Sequence, residues 1–459
     1  MSQPFYPAIK NPSFSGIIGV SQTDITPPSG IYARNWGAAT HEVAAGVHRP
    51  LMLTCTTFQS SRDAKPLVLI GADLGWWKSK EDELFLRQGV LEALEIESPQ
   101  LMLCLSHTHA GPSLFREDEN KPGGQFIEPY LTEIQHKAIA AIKKALSSAT
   151  SATITWNYGK CDLATNRDLP EYGSERLLVA YNPSAEADDT LLVGRISNSQ
   201  DQLLGTIVNY ACHPTTLAWD NQLISPDYIG AMRETIENQT HAPCLFLQGA
   251  SGELAPREQY VGDVAIADTY GRQLGYAALS ALEGMPPAKS QLIFKGAVES
   301  GAPLGIWETA DYEPSNHCSA EMTGVEFPLK QLPTLAEIEK EWAACEDNVL
   351  KERLWRKRGI RKTVGDGVTS VMPLWVWKLG DSFLIGQPNE TYSLFQKTLR
   401  DKLSPHAVGV INIVNGYAGY LPPQDYYYKD MYAVWQTPFE HGSLEMLIAV
   451  SVETAKKMI

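Results

Sequence analysis

Four apolar runs in this chain share one layout: a strand-like stretch, then a side chain able to bind metal, then a glycine or proline that stops the run. The sharpest is Leu101-Met-Leu-Cys-Leu-Ser-His107-Thr-His109-Ala-Gly-Pro112. Side chains alternate faces along a strand, so a strand running through this segment turns His107 and His109 the same way. Neutral imidazole is a favoured zinc ligand, and two co-facing imidazoles at a strand end are the start of a zinc site. A lone His-x-His, short and common, is more readily a pair of surface or hydrogen-bonded histidines. The other runs tip the balance.

The second run, Leu203 to Tyr210, leads into His213-Pro214. The third, Ser382 to Gly386, leads into Glu390 just before a helical-looking stretch from Ser393 to Lys402, where a helix dipole favours a carboxylate. The fourth starts at Ala407 and opens into a Gly-rich turn carrying Tyr417 and Tyr420, then a double proline. In open α/β sheets, ligands gather outside the carboxyl ends of strands. Strand ends carrying His, His, Glu and Tyr could meet in one crevice. Singly these are a satisfied histidine, a helix cap and a half-buried ring; together they favour a metal site.

Alternating strand-like and helix-like segments place the chain in the α/β class, with mixed β-sheets flanked by helices. Helical spacing marks Tyr130 to Leu146, residues 224–242 and residues 262–283. The clearest amphipathic helix is expected over residues 334–362, with Trp342 and Trp355 on a buried stripe and its charges on a solvated face. At 459 residues, without repeats or a low-complexity linker, the chain is long enough for two or three average domains, though large α/β enzymes often use such a length as one unit. Its net charge of −15 argues against nucleic acid as a partner. No stretch has the length of a membrane span, and the start lacks a secretory signal. Seven cysteines without a Cys-x-x-Cys suit a reducing, cytoplasmic compartment, with Cys104 and Cys212 expected inside apolar strands.

These same residues resemble the neutral (non-lysosomal) ceramidase family. The resemblance rests on Ser106-His-Thr-His-Ala-Gly-Pro112 and on His213-Pro-Thr215. Gly19-Val20 to Asp24, Gly46-Val-His48 and the strand ending at Asp73 add to it. It implies a zinc ion held by two histidines, a glutamate and a tyrosine, here His107, His213, Glu390 and Tyr420, with Tyr417 the alternative to Tyr420. It places His109 and Arg167 at substrate-contacting positions, although a structural ion pair is an equal expectation for the arginine. The family loop Asn-x-Gly-Asp-x-Ser-Pro aligns with Ala250-Ser-Gly252-Glu253-Leu-Ala255-Pro256, so alanine holds the serine position and glutamate replaces aspartate. Ser251 is displaced by four residues and is no direct replacement. The resemblance covers nearly the whole chain, so one large ceramidase-like catalytic domain, 1–459, is expected, without the family's carboxy-terminal immunoglobulin-like domain.

The resemblance therefore implies a zinc-dependent amidohydrolase that cleaves a C–N bond with metal-activated water, on a small-molecule amide other than long-chain ceramide. His109 is expected to handle the proton, Tyr420 to hold the metal and assist the oxyanion, and Arg167 to anchor the substrate. Glu253 is either a general base or a structural carboxylate of the loop. Asp24 and Asp73 read as turn and supporting residues. The aromatics from Tyr426 to Trp435 read as core, or as a lining for a sugar or acyl chain. An ester or glycan-linked substrate, a non-catalytic binding protein on the same fold, and a homo-oligomer are the alternatives carried forward.

Overall fold

The computed structural model describes residues 6–459. The short apolar runs build a sheet of β1 (Ser13–Asp24), β2 (Met52–Gln59), β3 (Leu67–Ala72), β4 (Leu101–Leu105), β5 (Thr150–Lys160), β6 (Thr190–Asn198), β7 (Leu203–Tyr210) and β8 (Cys244–Gln248). Their spatial order is β8-β7-β6-β5-β1-β2-β3-β4. The pairs β3/β4 and β7/β8 are parallel and the others antiparallel, so the sheet is mixed. A second mixed sheet joins β9 (Cys318–Pro328), β10 (Thr369–Leu379), β11 (Ser382–Gly386) and β12 (Ala407–Ile411) in that order, parallel only at β11/β12.

Why β4 reads as an unbroken apolar run follows from its two neighbours. Leu101, Leu103 and Leu105 face a core shared with α1 (Lys80–Leu94) and α2 (Ile127–Ser148), while Met102 and Cys104 face the second sheet. A strand buried on both faces has no polar side to alternate with. The inter-sheet layer is packed by Trp156 of β5 and by Trp375 and Trp377 of β10. Helices α3 (Tyr228–Thr240) and α4 (Val264–Glu283) cover the β6–β8 end of the large sheet. Four layers result: helices, large sheet, small sheet, helices.

The helical run expected over residues 334–362 is two helices, α5 (Leu335–Ala344) and α6 (Asn348–Val364), broken at Cys345–Asp347. Asp347 caps α6 by accepting from Leu350 N, which starts a new helix where periodicity alone suggested continuity. The charged face is not simply solvated either: Arg361 is buried and Ile360 and Val364 enter the core of the small sheet, whose outer face also takes α7 (Ser393–Lys402) and α8 (Ser443–Lys457). Cys104 lies in β4 as expected, whereas Cys212 falls two residues beyond β7. All seven cysteines are free. Among the described residues no helix is long and apolar enough to cross a membrane.

Two buried amides tie the sheets together where the strands end. Asn209 Nδ2 donates to Leu247 O of β8 and to Val410 O of β12, at 3.1 and 2.8 Å. Asn415 continues β4's edge: its side chain accepts from Leu103 N and donates to Leu101 O, and its φ of +48° is one that asparagine tolerates. Asp24 accepts from Thr26 N, a turn contact. Asp73 accepts from Met52 N and from buried Arg233, the latter at 2.6 Å. Removing one member of a buried ion pair strands the other charge, so Asp73→Ala should cost about 3–5 kcal/mol in urea unfolding. A loss under about 1 kcal/mol would show that Arg233 is hydrated rather than paired.

Candidate metal centre

The strand ends picked out by the sequence converge. His107 follows β4, His213 follows β7, Glu390 follows β11, and Tyr417 and Tyr420 follow β12. One ligand atom from each of His107, His213 and Glu390 lies within 4.8 Å of the others, and all three side chains are buried. His213 Nδ1 sits 2.6 Å from Ser251 O and 3.2 Å from Leu254 O. Both partners are carbonyls, so Nδ1 carries the hydrogen and Nε2 keeps a bare lone pair. His107 Nδ1 faces Gly75 O at 3.4 Å in the same sense. The two Nε2 atoms meet Glu390 Oε2 at 2.7 Å from His213 and 3.3 Å from His107.

His107 does not reach this place on a strand. β4 ends at Leu105, and His107 has a φ of +68°, held by its N–H on Leu74 O and by Ser106 N–H on Ala72 O. The expected strand alternation of His107 and His109 is therefore corrected: a left-handed turn, not a two-residue period, brings their rings to 4.9 Å. His109 lies against Trp76 and Trp36, at 4.8 and 5.1 Å, and neither of its ring nitrogens has a hydrogen-bond partner.

Glu390–Thr391 pairs in parallel with Tyr420–Leu421, which sets the carboxylate beside the Gly-rich turn. Tyr417 Oη donates to Glu390 Oε1 at 2.7 Å, whereas Tyr420 Oη stands 3.4 Å from His213 Nε2. Arg167 donates to Tyr420 Oη, to Gly252 O and toward His213 Nε2, at 3.0, 2.8 and 3.1 Å. It forms no salt bridge; its contacts all belong to this cluster or its loop. Burial alone would raise the Glu390 carboxyl, but the imidazoles of His107 and His213 hold it well below the usual carboxylate range. Burial and the Arg167 cation bring His213 down to about 4, so its imidazole is neutral at pH 7. Burial, then the neighbouring His107 and His213, likewise keep His109 neutral.

Glu253 is elsewhere. Both its oxygens accept from Ser393 N at 3.0 Å, and Ser393 Oγ adds a further bond, so this carboxylate closes the start of α7. Glu390, expected at that helix start, points its oxygens at the imidazoles and Tyr417 instead. Ala255 is fully buried between Leu254 and Pro256, which pair with Ala164–Asn166 and so carry Arg167 to the cluster. Ser251 Oγ accepts from Gln248 Nε2, and its carbonyl holds His213. Of the late aromatics, Tyr432 packs 5.6 Å from Tyr420, while Tyr428 and Trp435 are exposed. Sequence reasoning missed Trp36, Trp76 and Arg356. The Trp76-Trp77 pair after Asp73 was a usable signal, but Arg356 lay hidden in a run of charges.

A layered sandwich with a buried His-His-Glu group at its strand ends could hold a metal ion, and it is also the arrangement on which comparison with known proteins converges. The family model for the N-terminal part of neutral/alkaline non-lysosomal ceramidases matches residues 17–257. The chain belongs to that family. Neutral ceramidase of Pseudomonas aeruginosa is 21% identical over 246 residues, covering 52% of this chain but only 36% of that relative's length. Two solved structures share the fold. A ceramidase complexed with C2 has a TM-score of 0.71 at 14% identity, spanning 98% of this chain and 76% of the other. The P. aeruginosa neutral ceramidase crystal structure gives 0.69 at 15%, spanning 98% and 75%. Glu390, Tyr417 and Tyr420 lie beyond the family-model match but within the span of the shared fold.

Burial pushes Glu253 up from 4.5 to about 7. A carboxyl raised on folding favours the protonated fold, so its contribution is complete below about pH 4.5 and is lost as pH rises through about 7. In chelator-treated protein, wild type should lose on the order of 2 kcal/mol relative to Glu253→Gln between pH 5 and pH 8. Parallel urea-unfolding profiles for the two proteins would show that Glu253 does not titrate in this range.

Proposed function

We propose that this protein is a zinc-dependent amidohydrolase with His107, His213, Glu390 and Tyr420 as metal ligands, acting on an amide other than long-chain ceramide. The single observation that carries the reading is the pair of unprotonated Nε2 atoms facing one buried carboxylate. Two imidazole nitrogens and a carboxylate are a donor set that zinc accepts. The orphaned Nε2 of His107 and the two carbonyls that fix His213's tautomer fit the same ion. When bound, zinc supplies a Lewis acid for the carbonyl and makes a water acidic near neutral pH.

The rest falls to the chain's own groups. Tyr420 is the better fourth ligand because its Oη lies beside His213 Nε2, whereas Tyr417 spends its hydrogen on the far oxygen of Glu390. Tyr417 then orients the carboxylate. His109 is neutral, packed between indoles and free at both nitrogens, so it can take a proton from the attacking water and return it to the leaving amine nitrogen. Arg167 spends Nε and Nη2 on Gly252 O, Tyr420 and His213, and its Nη1 hydrogens, with no partner among the described residues, are available for the substrate's oxygen. The loop contributes no nucleophile: Ala255 carries no hydroxyl and Ser251 Oγ is taken by Gln248. Glu253 acts as a positioning residue through α7, next to Glu390.

Protein purified without added metal should carry about one zinc per chain, and His107→Ala and Glu390→Ala should each lose it together with amide hydrolysis. Wild-type protein that takes up no metal when zinc is offered would overturn the hydrolase reading and leave a binding protein on the same fold.

A further inference from the structure

Trp76 and Tyr417, which press on the His-His-Glu group, are also walls of a narrow slot beneath α6. The slot has a volume of about 30 Å³, enough for a group of a few atoms. It shares Trp77, Lys362, Thr363 and Tyr417 with a basin of about 700 Å³. Four cations line the slot, Lys78, Arg356, Arg358 and Lys362, and no carboxylate does. In a chain with a net charge of −15, that is a local reversal of sign.

The carboxylates that answer these cations stand outside the lining. Glu352 accepts from Arg356, and Glu117 accepts from both Arg358 and Lys362. Lys78 has no such partner within salt-bridge distance among the described residues. Its Nζ donates to Ser113 Oγ at 3.2 Å, and that hydroxyl passes on to Asp118. The ammonium otherwise lies over the Trp355 ring at 4.8 Å and 5.7 Å from Trp76. An ammonium has three donors, so one hydroxyl and two indole faces leave it short of acceptors. Arg356 uses one hydrogen each on Glu352, Tyr432 Oη and Asn35 O, which leaves two of its five.

We propose that the slot is a substrate subsite for a carboxylate, so that the preferred amide carries a negative charge close to the scissile bond. The small volume and flat indole walls suit a planar, two-oxygen group, and the lining cations repel an amine in its place. An uncharged headgroup would leave the Lys78 donors unanswered. Trp76 and Tyr417 separate the slot from the metal ligands by one side chain, which fixes how near the charge and the amide must be. This inference rests on the amidohydrolase reading, but its binding arm does not need turnover.

The test compares N-lauroyl-4-aminobutyrate with N-lauroyl-4-aminobutanol, equal in chain length, different in charge, and long enough to pass one side chain between amide and charge. Titration calorimetry on chelator-treated protein should show the carboxylate compound binding about tenfold tighter, the worth of one charge-assisted hydrogen bond. In zinc-loaded protein kcat/KM should favour it by a similar factor. Lys78→Met should collapse both ratios toward one, and Lys78→Arg should retain them, with thermal unfolding confirming that each variant folds. Equal binding of the two compounds to wild type, or an undiminished preference in Lys78→Met, would overturn the subsite. Selective binding without turnover would uphold the subsite and count against the hydrolase instead.

Discussion

A buried carboxylate governs this structure. Glu390 is almost wholly removed from water, and an ionised carboxylate in such a place survives only with partners that favour its charge. It finds the Tyr417 hydroxyl on one oxygen, while the other faces the two unprotonated Nε2 atoms of His107 and His213, the place a cation would fill. Each partner comes from a different strand end, so the carboxylate cannot be satisfied unless β4, β7, β11 and β12 are all in register. Beneath it, Gln387, Thr391 and Asn412 form a closed set of hydrogen bonds that leaves little freedom to relax. The site's geometry is thus a consequence of packing two sheets.

That dependence explains what was legible beforehand. The apolar runs of β4, β7 and β11 are continuous because both of their faces are buried, so their existence and their ends stood out in the sequence. Each end is marked by a Gly or Pro, which made His107, His213 and Glu390 visible as a set. The reason for the His107–His109 relationship was not visible, because nothing in Ser-His-Thr-His announces a left-handed residue. Glu390 stands three residues before α7 in sequence, whereas Glu253, 140 residues earlier, is the one that accepts from Ser393 in space; adjacency in sequence matched the helix dipole to the wrong carboxylate. Helix α6 was misread differently: arginine stems bury while their heads find partners, so a charged stripe looked like a solvated face.

The covering of the site is aromatic where the floor is ionic. Trp36 and Trp76 hold the neutral ring of His109, and Trp219 and Tyr260 pack edge-on to Trp36. Indole walls keep the local dielectric low, which strengthens every charge interaction inside and makes each unpaired donor costly. Arg356 and Lys78 therefore matter more than surface cations would. Both lie over the Trp76 indole: Arg356 reaches it from α6, which the small sheet carries, and Lys78 from the residues just before α1.

The residues of the candidate centre divide between the two sheets. His107, His213 and Arg167 are delivered by the large sheet and its loops, while Glu390 and the two tyrosines come from the small one. Within the large sheet's share, everything lies inside the segment that the family model matches; the small sheet's share lies outside it. Hydrogen bonds from Arg167 to His213 Nε2 and to Tyr420 Oη span the interface between the sheets. An ion bound by both sheets would replace part of that network and add its binding free energy to their docking. Because the folded chain has paid the cost of burying Glu390 before any ion arrives, the site is preformed, and selection among ligands falls to the walls around it.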